Sequence, residues 1–212
     1  MRYYSPVDKL LLNFDNGLRT VFGQPMLTER SNPAADLPEA EMATAERELA
    51  GRLMRVNHAG EVAAQGLYQG QALTARLTDV RAQMESAALE ENDHLAWCAQ
   101  RANELGSRVS YLNPLWYTGS LMIGALAGAV GDKWSLGFVM ETERQVVCHL
   151  DEHLTRLPGQ DLRSRAILEQ MKIDESNHAK LAQRAGGVEL PGLIKKLMQQ
   201  MARMMTRTAY WV

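Results

Sequence analysis

The sequence predicts an all-α protein, a four-helix bundle with two additional membrane-facing helices. Three observations carry this. Period-two runs of β-branched residues and hairpin dipeptides are lacking, whereas helix start and stop signals recur along the chain. Four segments carry apolar stripes at three-to-four spacing with an acid set inside each stripe. Two more segments are apolar or amphipathic and contain no acid: Val109 to Gly131 has no charged residue, and nothing after Glu189 is acidic.

With 212 residues, 46% of them hydrophobic, the chain suits one domain spanning 1–212. A formal net charge of −2, no Gly-rich phosphate loop and no basic stripe interleaved with aromatics argue for no nucleic acid partner. Cys98 and Cys148 lie far apart, outside any CxxC, and read as buried free thiols in a reducing compartment. The opening MRYYSPVDKLLLNFDNG is interrupted by Asp8 and Asp15 and has no long apolar run, so no leader peptide is expected there.

In order along the chain, residues before about 35 carry weak signals and read as an irregular lead-in. Asp36, as N-cap with Pro38 in the first turn, starts a core helix at about 37–77, with Glu39, Glu41 and Glu46 near its positive end. Thr78 caps a second over about 78–105, ending near Gly106. An apolar helix covers about 114–130. Asp132 caps a core helix at about 132–156, stopped before Pro158-Gly159. Asp161 starts the next at about 161–185, closed by Gly186-Gly187, and Pro191 opens a basic amphipathic C-terminal helix at about 191–208.

The two acid-free segments suit a membrane surface. Val109 to Gly131 is diluted by Asn113, Pro114 and glycines, and its continuous apolar part, Leu121 to Val130, is too short to span. In the C-terminal helix Leu193, Leu197, Met201, Met204 and Met205 share a face, while Lys195, Lys196, Arg203 and Arg207 supply charge. The alternative is a terminal helix that docks this stripe on the protein's own core.

The acids inside the stripes form a pattern. Glu91 with His94, in LEENDHLAW, and Glu175 with His178, in KIDESNHAKL, repeat Glu-x-x-His on faces otherwise made of Val80, Met84, Ala87 and Cys98, and of Leu168, Met171 and Ala182. Lone acids occupy the other two stripes: Glu143 among Leu136, Val139, Met140, Val146, Val147, Leu150 and Leu154, and Glu61 between Met54 and Tyr68. Ala59, Gly60, Ala63 and Ala64 around Glu61 suit close helix approach. Glu91 follows Glu61 by 30 residues and Glu175 follows Glu143 by 32, a pseudo-repeat of two helical hairpins. One Glu from each of two helices with Glu-x-x-His from each of the others is the ligand pattern of ferritin-like di-iron or di-manganese bundles. Four carboxylates balance two divalent cations in a low-dielectric core, and oxygen with imidazole donors favours Fe or Mn. Asp93 and Asp174 adjoin the motifs and either orient the imidazoles or lie on a solvated face; His58 either neighbours the site or faces another helix, and His149 reads as a core histidine or a neighbour of the ligands, not a ligand.

At RVNHAGEVAAQGLYQGQ, EENDH, the NPLW region and DESNH, the chain resembles the demethoxyubiquinol hydroxylases of ubiquinone biosynthesis. The resemblance runs from about Arg52 to the C-terminus. It implies a ferritin-like bundle with two Fe ions per chain held by Glu61, Glu91, His94, Glu143, Glu175 and His178, with Glu91 and Glu175 bridging. It implies O₂-dependent hydroxylation of a polyprenylated 3-methyl-6-methoxy-1,4-benzoquinol, with NADH or the quinol itself as electron donor. It further implies a peripheral place on the cytoplasmic side of the cell membrane and contact with other ubiquinone-biosynthesis proteins. The chain departs from mitochondrial members at His149-Leu150, where they carry His-Tyr. Two rival readings share parts of the pattern. A soluble iron-storage or peroxide-scavenging protein would have the same ligands without the apolar and basic helices. A non-enzymatic quinone- or lipid-binding helical protein would need no metal.

Overall fold

The computed structural model describes residues 5–28 and 30–212; Met1 to Tyr4, where the stretch read as leader-free begins, and Glu29 lie outside the described residues. The elements are α1 (Pro6–Phe22), α2 (Thr44–Thr74), α3 (Thr78–Glu104), α4 (Asn113–Val130), α5 (Asp132–Arg156), α6 (Leu162–Arg184) and α7 (Gly192–Trp211), with no strand among the described residues. Helices α2 and α3 form one hairpin, α5 and α6 another; α4 crosses between them and lies along α2.

Two apolar clusters fill the bundle. One joins Leu53 and Met54 of α2, Trp97 and Cys98 of α3, Leu150 of α5, and Leu168 and Met171 of α6. The other joins Tyr68, Met84, Leu136, Met140 and Ala182 from the same four helices. Along every helix the acids of the motif fall between the two clusters, so a polar layer crosses mid-bundle with apolar packing at either end. Each fully buried Leu or Met contributes roughly 1.5–3 kcal/mol, and together they offset what it costs to bury that layer.

The helix starts differ from the sequence reading in instructive ways. Helix α2 begins at Thr44 and not at Asp36, because Glu39 is drawn to Arg101 of α3 and holds its segment out of the helix; only Glu46 sits in the first turn, its carboxylate accepting from the Ala43 N–H at 2.9 Å. Thr78 does not cap α3, whose N-cap is Leu77. Asp132 does not cap α5 either: it accepts from the N–H groups of Arg76 (3.0 Å) and Leu77 (2.9 Å), clamping the α2–α3 turn to the start of α5. Asp161 does cap α6, accepting from the Ser164 N–H at 3.0 Å. The lead-in read as irregular contains α1, opened by a capping box in which Ser5 and Asp8 satisfy each other's backbone. Cys148 is exposed, against the expectation of two buried thiols, because it lies on the outer face of α5; Cys98 is buried.

The close helix approach lies further along α2 than Ala59 to Ala64. A Cβ on Gly60 would meet nothing, whereas one on Gly70 would run into the Leu121 carbonyl of α4, and one on Gly124 into the Leu67 carbonyl of α2. These glycines bring α4 onto α2 and leave Leu115, Met122, Leu126 and Val130 facing outward. Helix α7 is held mainly at its C-terminal end: Ala209 is buried, Arg55 Nη1 donates to the Tyr210 carbonyl (3.3 Å), and Arg108 Nη1 donates to Val212 O (3.0 Å). Its stripe does not dock on the core, and Leu193, Leu197, Met201 and Met204 are all exposed.

Arg101 ties the distal end of the bundle together. Its guanidinium, 1% exposed, meets Glu104 (3.0 Å), Asp161 (2.8 Å), Ser164 (3.0 Å) and both oxygens of Glu39. Replacing it with Met strands the fully buried Asp161 carboxylate. Arg101→Met is expected to lose about 3–5 kcal/mol of stability, read by urea unfolding.

Candidate metal centre

Four helices deliver six ligand-type side chains to the polar layer: Glu61 from α2, Glu91 and His94 from α3, Glu143 from α5, Glu175 and His178 from α6, all buried. Each Glu-x-x-His pair faces inward because i and i+3 lie on one helix face. The six form two interlocked quartets. In one, Glu61, Glu91, His94 and Glu175 each place a donor atom within 4.8 Å of the others; in the second, Glu91, Glu143, Glu175 and His178 do the same. Glu91 and Glu175 belong to both. The structure thus brings together all six residues singled out from sequence.

Both imidazoles turn Nδ1 toward the layer. His94 Nδ1 lies 3.0 Å from Glu91 Oε2, 3.1 Å from Glu175 Oε1 and 3.8 Å from Glu61 Oε2. His178 Nδ1 lies 3.2 Å from Glu175 Oε2 and 3.3 Å from Glu91 Oε1. Their Nε2 atoms point away and meet outer acids, Asp174 for His94 (2.9 Å) and Glu90 for His178 (3.1 Å). Each outer acid directly precedes the shared glutamate of the opposite helix, so the pseudo-twofold of the ligands extends one layer outward. Of the two aspartates considered from sequence, Asp174 takes this role and Asp93 does not. Asp93 instead accepts from the Thr28 N–H (2.9 Å) and hydroxyl of the lead-in, whose Arg30 reaches Asp174 at 2.5 Å.

Sequence reasoning missed three neighbours. Tyr68 donates its hydroxyl proton to Glu143 Oε1; its place seven residues after Glu61 was legible, its partner was not. Glu90 sat unmarked inside EENDH, and Arg30 sat in the lead-in, 144 residues from the acid it meets. His58 faces α4, with Nδ1 3.4 Å from Asn113 Nδ2, and burial lowers its pKa to about 4. His149 lies against His153, outside both quartets.

The electrostatics are those of crowded acids out of water. Burial first, and then the Glu91 charge, push the Glu61 carboxyl well above its ordinary range. Burial and the charges of Glu175 and Glu91 do the same to Glu143. Glu91 is pulled well below: burial opposes this, but the charge of His94 and hydrogen bonds from His178 and His94 outweigh it. Burial likewise opposes the imidazolium forms. The charge of Glu91 with the Asp174 bond still raises His94, and bonds to Glu175 and Glu90 raise His178. The protons on these rings are the counter-charges that divalent cations would replace.

The donor set fits such cations. The Oε1 atoms of Glu91 and Glu175, one on each shared carboxylate, are buried without a well-directed hydrogen bond: the nearest nitrogens, His178 Nδ1 at 3.3 Å and His94 Nδ1 at 3.1 Å, are aimed at Oε2 atoms instead. A carboxylate oxygen without a well-directed donor is costly inside a protein, and both lie in the layer that the two quartets share. Oxygen donors with two imidazoles suit iron or manganese. The Nε2 bonds of Asp174 and Glu90 are what fixes Nδ1 as the free donor. Asp174→Asn combined with Glu90→Gln is therefore expected to weaken metal binding about 10- to 100-fold with helicity retained, measured by chelator competition and circular dichroism.

The sequence profile of the ubiquinone biosynthesis protein COQ7 matches residues 48–209. A 3-demethoxyubiquinol 3-hydroxylase of Nitrosococcus oceani is 63% identical over 211 residues, covering 100% of this chain and 99% of the relative. Relatives of the same name from Nitrosomonas europaea and Legionella pneumophila are 56% and 54% identical, covering 97% and 100% of this chain and 99% and 100% of their own. Among solved structures, the dodecameric thioferritin of Bacteroides fragilis, a bacterioferritin-related protein, superposes with a TM-score of 0.50 at 19% identity, covering 74% of this chain and 89% of its own. At that identity the likeness bears on the fold, which is ferritin-like.

Proposed function

This chain belongs to the COQ7 family of ubiquinone biosynthesis proteins, and we propose that it is a di-iron monooxygenase that hydroxylates a polyprenylated 3-methyl-6-methoxy-1,4-benzoquinol. The observation that carries the metal assignment is the pair of interlocked quartets sharing Glu91 and Glu175. In this reading Glu61 with His94, and Glu143 with His178, would each hold one iron, and Glu91 and Glu175, common to both quartets, would serve both. Bound there, iron supplies the activation of O₂ and the redox capacity that carboxylates and imidazoles lack. In the overall reaction one oxygen atom of O₂ is inserted into a ring C–H bond to give the hydroxyl, and the other leaves as water, taking up two protons and two electrons, the electrons from NADH or from the quinol, which is thereby oxidised to the quinone.

The protein's own contribution is geometry, dryness and proton placement. Asp174 and Glu90 hold the Nε2 protons, leaving Nδ1 of His94 and His178 as donors. The Tyr68 hydroxyl holds a proton against Glu143 Oε1, and burial with the Glu143 charge pushes its pKa up. The apolar clusters at either end keep bulk water away. A small depression of about 10 Å³ lined by Ala64, Leu67 and Val139 reaches Tyr68 and Glu143 between α2 and α5. It has room for little more than one water, so a quinol ring arriving there must part these two helices' side chains.

The substrate's tail belongs in lipid, and the outer helices suit that. Among the described residues no helix is long and apolar enough to cross a membrane. Yet Leu11, Phe14, Leu18 and Phe22 of α1, Leu115, Met122 and Leu126 of α4, and Leu193, Leu197 and Met204 of α7 are exposed, and all three helices pack against α2. The enzyme is read as peripheral, on the cytoplasmic side of the cell membrane.

Metal analysis of the purified protein beside a Glu91→Ala, Glu175→Ala double variant tests the centre. About two irons per chain are expected, lost in the variant, with O₂-dependent hydroxylation of a short-tailed demethoxyubiquinol by the loaded protein alone. Bound iron without hydroxylation would favour storage or peroxide scavenging; hydroxylation surviving in the variant would refute the site. Leu197→Glu with Met204→Glu is expected to cut binding to lipid vesicles about tenfold while leaving the iron content unchanged.

A further inference from the structure

A cleft of about 470 Å³ lies between α5 and α7, and none of the six metal-centre residues lines it. Its walls include Arg156, Arg203, Arg207 and His149, with Tyr210 and Trp211. The lining carries a single carboxylate, Glu152, 3.6 Å from Arg156. Arg203 and Arg207 form no ion pair among the described residues, and both are exposed. His149 Nε2 is buried and has no hydrogen-bond partner. Its ring is fixed 3.9 Å from that of His153, whose Nδ1 is held 2.8 Å from Asn57 Oδ1. Three guanidinium groups facing one carboxylate in a concave site concentrate positive potential. An unpartnered buried imidazole nitrogen at the same wall calls for a polar ligand atom.

We propose that this cleft binds a phosphate ester, with Arg203 and Arg207 as its principal ligands. Guanidinium groups match phosphate oxygens in paired hydrogen bonds, which a carboxylate-free stretch of helix leaves available. The volume is in the range of small-molecule sites and exceeds what bare phosphate fills. Two sources offer this chemistry. One is a phospholipid headgroup, since Arg203 and Arg207 flank the exposed stripe of Leu197, Met201 and Met204, and Trp211 stands beside it, 68% exposed. The other is a soluble phosphate ester. The cleft shares no residue with the metal centre, so the proposal stands apart from the hydroxylase reading.

The iron-loaded full chain is titrated with glycerol 1-phosphate by calorimetry, and separately with phosphatidylcholine vesicles with and without phosphatidylglycerol. An Arg203→Gln, Arg207→Gln variant is compared with Lys180→Gln, Lys196→Gln, which removes equal charge outside the cleft, and circular dichroism checks both. The arginine variant is expected to lose roughly tenfold or more in affinity for at least one of the two probes, and the lysine variant less than about twofold. Arginine-dependent binding of phosphatidylglycerol vesicles assigns a lipid source; arginine-dependent binding of glycerol phosphate with vesicle binding unchanged assigns a soluble one. Equal losses in both variants would mean diffuse charge, and no saturable binding of either probe would mean no site; either overturns the proposal.

Discussion

Four carboxylates and two imidazoles share the centre of this bundle, cut off from water by apolar residues at both ends. Burying that many ionisable groups is prohibitive unless each finds an opposite charge or a donor. The constraint reaches outward in a definite order. The glutamates need the imidazoles; the imidazoles need Asp174 and Glu90 to fix their orientation; Asp174 needs Arg30 of the lead-in. A segment with no ligand of its own is thereby pinned over the site. Arg30 also lies 5.2 Å from the Trp97 ring centroid, on the helix that carries His94.

The same constraint explains why two lengths of apolar packing are needed. A polar layer at one end of a bundle would be open to solvent; placed between the Met54–Met171 cluster and the Met140–Ala182 cluster, it is enclosed while the helices continue past it. The distal end is then closed by Arg101, a second buried charge resolved in a different way. Here fixed counter-charges from Glu39, Glu104 and Asp161 surround one guanidinium. At the candidate metal centre the acids outnumber the cations the chain can supply, and the Oε1 atoms of Glu91 and Glu175, without a well-directed donor, mark the deficit.

Outside the bundle the logic reverses. Helices α4 and α7 carry apolar residues that the fold makes no attempt to bury: the glycine contacts with α2 use up one side of α4, and α7 is fastened by its last turn. The result is an apolar exterior on α4 and α7, the feature on which the proposed contact with lipid rests. Three of the four basic residues of α7 divide between two tasks. Lys195 is tied to Glu189 and Glu141, while Arg203 and Arg207 turn to the cleft with α5.

The all-helical class, the stripes and the six ligand-type residues could be read from spacing alone, because an α-helix places i, i+3 and i+4 on one face whatever surrounds it. The caps were less legible. Asp36, Thr78 and Asp132 are all suitable capping residues, but Glu39 is drawn off by Arg101 and Asp132 by the Arg76 and Leu77 amides. Local preference worth about 1 kcal/mol yields to a partner that lies far along the chain. The α1 capping box at Ser5 and Asp8 was local and could have been found. Glu90 against His178, Tyr68 against Glu143, and the arginines meeting in the α5–α7 cleft had no sequence signature, because each joins residues whose distance along the chain carries no period. Periodicity within one helix is written in the sequence; which helix faces which, and therefore which acid meets which imidazole, is settled only when the four stripes close on one another.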